Sequence, residues 1–149
     1  MDISIIVPSF NERESLPELC SWIDRVMSAH KFSYEVIVVD DGSTDGTWDE
    51  VKNISKSNPN VHGISFRRNY GKSAALYCGF EKAQGEVVFT MDADLQDSPD
   101  ELPEMYRMIV EEDYDIVSGW KEKRKDKAEQ KRVELHLHTN MSQMDAIIT

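Results

Sequence analysis

The run Val87-Val88-Phe89-Thr90-Met91-Asp92-Ala93-Asp94-Leu95-Gln96 passes from five apolar or β-prone residues directly into two carboxylates and an amide. A strand of that kind is apolar on both faces, as a parallel sheet covered by helices on each side requires. If the chain stays extended through the acids, the side-chain period of two points residues 92, 94 and 96 the same way. Neighbouring carboxylates repel unless a cation lies between them. Carboxylate, amide carbonyl and water are the ligands that Mg²⁺, Mn²⁺ or Ca²⁺ prefer. A solvated acidic loop that caps the next helix is the plainer alternative, and a short motif alone does not separate the two.

Working outward, Ile3 to Val7, Glu35 to Val39, Val61 to Phe66 and Asp115 to Ser118 read as further strands between helical stretches. The alternation predicts an α/β fold built on a mostly parallel sheet with helices on both faces. Leu16, Leu19, Cys20, Ile23, Val26 and Met27 line one helix face, with Ser15 and Glu18 at capping-box spacing before it. Ser98-Pro99-Asp100-Glu101 repeats that device ahead of Leu102, Met105, Met108 and Ile109. Helices are also expected at Thr47 to Lys56 and, more weakly because Gly79 interrupts it, at about Ser73 to Ala83. Right-handed crossovers bring the loops that follow the strands to one edge of such a sheet. Three of those loops are polar: Pro8-Ser9-Phe10-Asn11-Glu12, Asp40-Asp41-Gly42-Ser43-Thr44-Asp45 and Asp92-Ala93-Asp94-Leu95-Gln96.

The 149 residues suit one domain with a sizeable core. No apolar run approaches the roughly 20 residues that span a bilayer. Met1-Asp2 leads into the first strand without a basic leader, so a cytoplasmic location is expected. Cys20 and Cys78 lie among apolar helical neighbours and are expected as free, core-type thiols. The net charge of -11 argues against a nucleic-acid partner. Residues 121 to 132 nevertheless carry seven Lys or Arg against three acids, a block that reads as a solvated tail or a contact for phosphate or an anionic membrane.

Nucleotide fingerprints that work through glycine amides are absent. No Gly-x-Gly-x-x-Gly follows a strand, and Gly71-Lys72-Ser73 imitates a P-loop end only superficially, since the earlier glycine position is Phe66. A receiver-like signalling module would need an Asp after the third strand, where the chain has Phe66-Arg67-Arg68. With acids in place of a glycine cradle, an anionic ligand is held through a bridging divalent cation, and a nucleoside diphosphate joined to a sugar meets that demand. Asp40-Asp41 either accepts hydrogen bonds from a base edge or ribose, or forms a turn in which Gly42 takes positive φ and Thr44 caps a helix.

Four stretches carry a resemblance: Ile-Val-Pro-Ser-Phe-Asn-Glu at 6 to 12, Val-Asp-Asp-Gly-Ser-Thr-Asp at 39 to 45, Asn-Tyr-Gly-Lys-Ser-Ala-Ala-Leu at 69 to 76 and Asp-Ala-Asp-Leu-Gln-Asp at 92 to 97. In order and spacing they resemble family 2 glycosyltransferases, and within these the polyprenyl-phosphate group that includes dolichyl-phosphate mannose synthase, over about residues 2 to 126. The resemblance implies a GT-A fold, truncated here after its nucleotide-binding half, and inverting transfer from a UDP- or GDP-sugar to a lipid phosphate. It implies that Pro8, Asn11, Glu12 and Asp40 or Asp41 line the nucleoside site, that Lys72 meets a phosphate, and that Asp92, Ala93 and Asp94 face the donor. Asp92 and Asp94 would carry the chemistry and, with Gln96, hold Mg²⁺ or Mn²⁺. Arg67 and Arg68 serve either a phosphate or charge balance.

Residues 127 to 149 depart from that pattern and are expected to form a separate tail, disordered or an edge strand. The stretch from Lys131 to Asp145 resembles instead the opening of the PHP domain of PolC-type DNA polymerase III α subunits, with His136 and His138 at its metal-binding positions. A composite chain accounts for the junction. Donor binding without efficient turnover is therefore expected. The alternatives are a PHP-type phosphoesterase or polymerase fragment, and a non-catalytic module that pairs, with itself or a partner, through an unfinished sheet edge.

Overall fold

A computed structural model describes residues 1–112 in full and, beyond them, the backbone of strands at 116–120, 134–135 and 142–148. Strands β1 (Ile3–Ser9), β2 (Tyr34–Asp40), β3 (Val61–Ser65) and β4 (Val87–Thr90) alternate with helices α1 (Leu16–Ala29), α2 (Thr47–Ser57) and α3 (Lys72–Lys82). A short 3-10 turn at Pro99–Glu101 then leads into α4 (Leu102–Glu111). Strands β5 (Ile116–Trp120), β6 (Glu134–Leu135) and β7 (Ser142–Ile148) complete a seven-stranded sheet in the order β3-β2-β1-β4-β7-β5-β6.

The first four strands are parallel, with Ile3 opposite Tyr34, Val36 opposite Val61 and Ile3 opposite Val87. Their apolar runs are explained by burial on both faces. Ile3, Ile5 and Val7 point into the larger core with Tyr34, Val36, Val38, Phe89 and the inner faces of α1 and α4. Ile37 and Val39 point the other way, toward Ala75 of α3. Each such aliphatic side chain contributes about 1.5–3 kcal/mol when fully buried. On that second face Ile6 fixes how closely α3 can lie: a Cβ built on Gly79 would overlap Ile6 Cγ2. Gly79, which reads as an interruption in the sequence, is the contact that seats the helix.

Two strands of the tail join the sheet, β6 at its edge and β7 within it. β7 pairs antiparallel with β4 on one side and with β5 on the other, so it lies inside the sheet rather than at its edge. β5 consequently runs in the direction of β4 without touching it. A strand that arrives antiparallel from some 50 residues downstream leaves no local mark in the sequence, and it covers the flank of β4 that β1 leaves open. His136 and His138 lie outside the described residues.

The expected caps also differ. Ser15 makes no cap bond to α1; its hydroxyl donates to Glu12 Oε1 at 2.9 Å. Thr44 caps nothing, because α2 begins after Gly46 and the Thr47 amide is taken by Asp45 Oδ1 at 3.0 Å. Ser98 does accept the Asp100 amide, at 3.2 Å. Cys20 and Cys78 are free thiols; Cys20 is buried, and burial pushes its thiol up to about 12. Among the described residues no helix is long and apolar enough to cross a membrane.

Gly79→Ala tests the helix seat. Ala normally gains about 1 kcal/mol over Gly inside a helix, whereas overpacking costs about 1–3 kcal/mol. Urea denaturation is expected to show a net loss of about 1 kcal/mol. In an Ile6→Ala background, where the obstructing methyl is gone, the same change becomes neutral or stabilising.

Candidate functional site

Because β1 to β4 are parallel, the loops after all four emerge at one edge of the sheet. The connection from β1 to β2 runs one way along the sheet and that from β3 to β4 returns past β1, so the strand order reverses between β1 and β4. Open α/β sheets place their ligands at such a reversal. The acid loop follows β4 and so stands beside it.

Hydrogen bonds join these loops in sequence. Asn11, at φ 55°, donates its amide to Ser43 Oγ at 2.8 Å and accepts the Thr44 amide on Oδ1 at 2.9 Å. The Glu12 amide donates to Thr47 Oγ1 at 3.1 Å. The Asp41 amide donates to the Ser9 carbonyl at 2.9 Å. Asp41 itself is 5% exposed, and its two carboxylate oxygens accept the amides of Tyr70 at 2.7 Å and Gly71 at 3.1 Å. Finally Lys72 Nζ, at the start of α3, lies 2.9 Å from Asp92 Oδ1. The loop after β2 is thereby fixed to those after β1 and β3, and the latter to the loop after β4.

Gly42, at φ 76°, makes the middle join possible, since a Cβ there would overlap the Arg68 carbonyl carbon and lie 2.5 Å from the Asn69 nitrogen. Arg67 and Arg68, read as serving either a phosphate or charge balance, are both exposed, and Arg68 stacks its guanidinium 5.1 Å from the centre of the Tyr70 ring.

The acid loop is a turn, not an extended strand end. β4 stops at Thr90, Leu95 adopts φ 66°, the Gln96 amide donates to Asp94 Oδ1 at 3.2 Å and the Asp92 amide to Asp97 Oδ2 at 3.3 Å. The alternation expected for residues 92, 94 and 96 is therefore replaced by a folded loop whose own amides consume carboxylate oxygens. Asp97, absent from the sequence-based set, supports it from a buried position. Asp92 is partly exposed, Asp94 and Gln96 are exposed, and Ala93 is buried in the core. Downstream, the Trp22 indole donates to Asp100 Oδ1 at 3.0 Å and ties the loop's exit to α1.

Of the nucleoside-side positions, Pro8 is half-buried in β1 opposite Val39, and Asp40 is 2% exposed with Oδ1 accepting the Ser43 amide at 3.1 Å. Two cavities, of about 320 and 450 Å³, lie elsewhere. The smaller is between α1 and α2, and the larger is near Met1, Glu35, His62 and Lys82 at the opposite end of β2 and β3.

The donor set fits a hard divalent cation. Asp92 and Asp94 supply anionic oxygens, and one of them is already paired with a cation. Among the described residues no group of three or more His, Cys, Asp or Glu side chains gathers at one point, so a closed, all-protein metal cage is not built there. Such a site is completed by ligand oxygens.

The model of the family described as Glycosyl transferase family 2 matches residues 4–147. The chain belongs to glycosyl transferase family 2. Among curated members, an undecaprenyl-phosphate 4-deoxy-4-formamido-L-arabinose transferase of Pseudomonas syringae is 39% identical over 128 residues, 85% of this chain and 37% of that protein. The enzyme of the same name from Yersinia pestis is 40% identical over 129 residues, 83% of this chain and 38% of the relative. The chain thus spans well under half the length of these relatives. Among solved structures, a Pyrobaculum calidifontis mannosyltransferase in complex with GDP-Man and Mn²⁺ superposes with a TM-score of 0.75 at 24% identity, covering 98% of this chain and 44% of that one. S. aureus TarS with UDP-GlcNAc superposes with a TM-score of 0.63 at 28% identity, covering 78% and 33%. The sheet and helices of this family 2 chain have the GT-A arrangement.

Asp45 offers a test of the stitching. Chiefly its bond from the Thr47 hydroxyl, and further the Thr47 and Arg13 amides, hold its carboxyl below the ordinary carboxylate range. A lowered folded pKa stabilises above the unfolded value and is lost as pH falls through the folded one. The Thr47 and Arg13 amide resonances are expected to shift together below about pH 4, with no such step in Asp45→Asn.

Proposed function

We propose that this chain forms the donor-binding part of a metal-dependent transferase that moves a sugar from a nucleoside diphosphate to a polyprenyl phosphate with inversion. The observation that carries the reading is the partly exposed Asp92 carboxylate, held at the reversal point of the sheet and already paired with a cation. The family supplies the reaction type. The names of the curated relatives point to the acceptor class, and the UDP-GlcNAc complex of TarS points to a nucleotide sugar as donor.

Asp92, Asp94 and Gln96 would hold Mg²⁺ or Mn²⁺ on the donor diphosphate. When bound, that ion neutralises the charge that develops on the departing diphosphate as the anomeric bond breaks. The chain's own residues do the rest. Pro8, Asn11, Glu12 and Asp40 line the nucleoside, and Asp41 stands behind them and fixes the loop that carries Lys72. Ala93 keeps the backbone between the acids against the core, so that the acids stay at the rim. A lipid phosphate is already anionic near neutral pH, and its attack asks for positioning more than for a strong protein base.

Thermal melts with UDP-sugars and GDP-sugars, with and without Mn²⁺, test the proposal. A donor present at a hundred times its dissociation constant adds about 2.7 kcal/mol, a rise of roughly 5–10 °C in a domain of this size. The rise is expected only when metal is present, and Asp92→Asn with Asp94→Asn is expected to erase it. A double variant that responds like the parent, or a folded chain that responds to no nucleotide sugar, refutes the assignment.

A further inference from the structure

Lys72 joins two features that the donor reading leaves separate: the acid loop, and the buried Asp41. Lys72 directly follows the turn that Asp41 holds. Both oxygens of Asp41 are committed to the Tyr70 and Gly71 amides, and its backbone carbonyl accepts from Asn69 Nδ2 at 3.3 Å. Gly71 takes φ 103°, and α3 begins at the next residue. The helix crosses β1 and β2 and delivers the ammonium from the β3 side of the sheet to Asp92 Oδ1, 2.9 Å away. The lysine side chain is 57% exposed and the aspartate 22%, so a largely solvated ammonium neutralises a mostly covered carboxylate.

A divalent ion held by that carboxylate would be repelled at close range by an ammonium 2.9 Å from the same oxygen. Both cannot remain. Lysine is the movable partner, a point charge on a flexible four-carbon stem whose root is fixed by the turn. Once displaced, the ammonium stays beside the acid loop, where the only new anion in the proposed complex is the donor diphosphate.

We propose that Lys72 is a resident counter-ion of Asp92, positioned by Asp41, that competes with the divalent metal and transfers to the donor diphosphate when metal enters. Metal and nucleotide binding are thereby coupled. The proposal rests on the donor reading above. It assigns Lys72 opposite effects on two equilibria: it weakens binding of metal alone and strengthens binding of metal together with a diphosphate. A lysine that merely touched phosphate would affect only the second, and one that merely balanced surface charge would affect neither with opposite sign.

The test is a titration of free Mn²⁺ by its paramagnetic resonance signal, on the full chain, alone and with saturating UDP or GDP. Lys72→Met, which keeps length and removes charge, is expected to bind Mn²⁺ alone several-fold more tightly than the parent. It is expected to bind Mn²⁺ with nucleoside diphosphate several-fold less tightly. Lys72→Arg retains the parental coupling, which also shows that substitution of this exposed position leaves the fold intact. Asp41→Asn, which removes one acceptor from the turn, shifts both equilibria in the direction of Lys72→Met by a smaller factor. If Lys72→Met binds Mn²⁺ alone no better than the parent while the parent binds Mn²⁺ with nucleotide, the counter-ion proposal fails and the donor reading stands. If the parent binds Mn²⁺ with neither nucleotide, the donor reading fails and takes this inference with it.

Discussion

A single buried carboxylate organises the functional edge of the molecule. Asp41 sits at the end of β2, where a parallel sheet delivers backbone amides from a neighbouring loop with no partner in the ladder, and it accepts two of them at once. A carboxylate buried to that degree and stripped of its donors would cost about 1–3 kcal/mol or more, so the loop after β3 has a strong reason to stay where Asp41 holds it. Everything nearer the acids inherits its position from that contact. The start of α3 is fixed by the turn, Lys72 by the start of α3, and the charge balance of Asp92 by Lys72.

The sheet beneath supplies the rigidity. Its strands are short and nearly continuous in apolar character, and the residues that look redundant in sequence divide by parity between two cores. Ile5 and Ile6 are neighbours with opposite duties: one anchors the layer of α1 and α4, and the other meets α3 at Gly79. Close packing on both sides leaves the strand ends little freedom, and this lets polar loops of irregular conformation be held accurately above them.

Much of this was readable from residue order, and the failures share a cause. Periodicity located the first five of the seven strands and the four α-helices because burial of one or both faces is a local property of a segment. The motifs placed Asp92, Asp94 and Lys72 at one edge because topology follows from the alternation of elements. What escaped was non-local or depended on competition between partners. Ser15 had the spacing of a cap, but Glu12 offered its hydroxyl a nearer acceptor. Asp92 and Asp94 had the spacing of a strand, but the Asp97 carboxylate and the Gln96 amide folded the loop instead. The bonds between loops gave little local sign either: Asn11 accepts the Thr44 amide, and Asp41 holds two amides from a segment about 30 residues away. A glycine at Gly71 next to an uncharged turn was the only signal that amides there would need an outside acceptor. The antiparallel insertion of β7 had no signal at all.

The Trp22–Asp100 hydrogen bond, read with the Met91 amide bonded to the Ile6 carbonyl, has a consequence for how the crevice meets a guest. Pinned at entry by the central strand and at exit by a helix across the core, the intervening segment has few alternative paths, and Leu95 is kept in a backbone state that a free peptide seldom visits. Disorder that a floppy loop would surrender on capture has already been removed during folding. Recognition at this edge is therefore closer to insertion into a finished mould than to the wrapping of a loose strand.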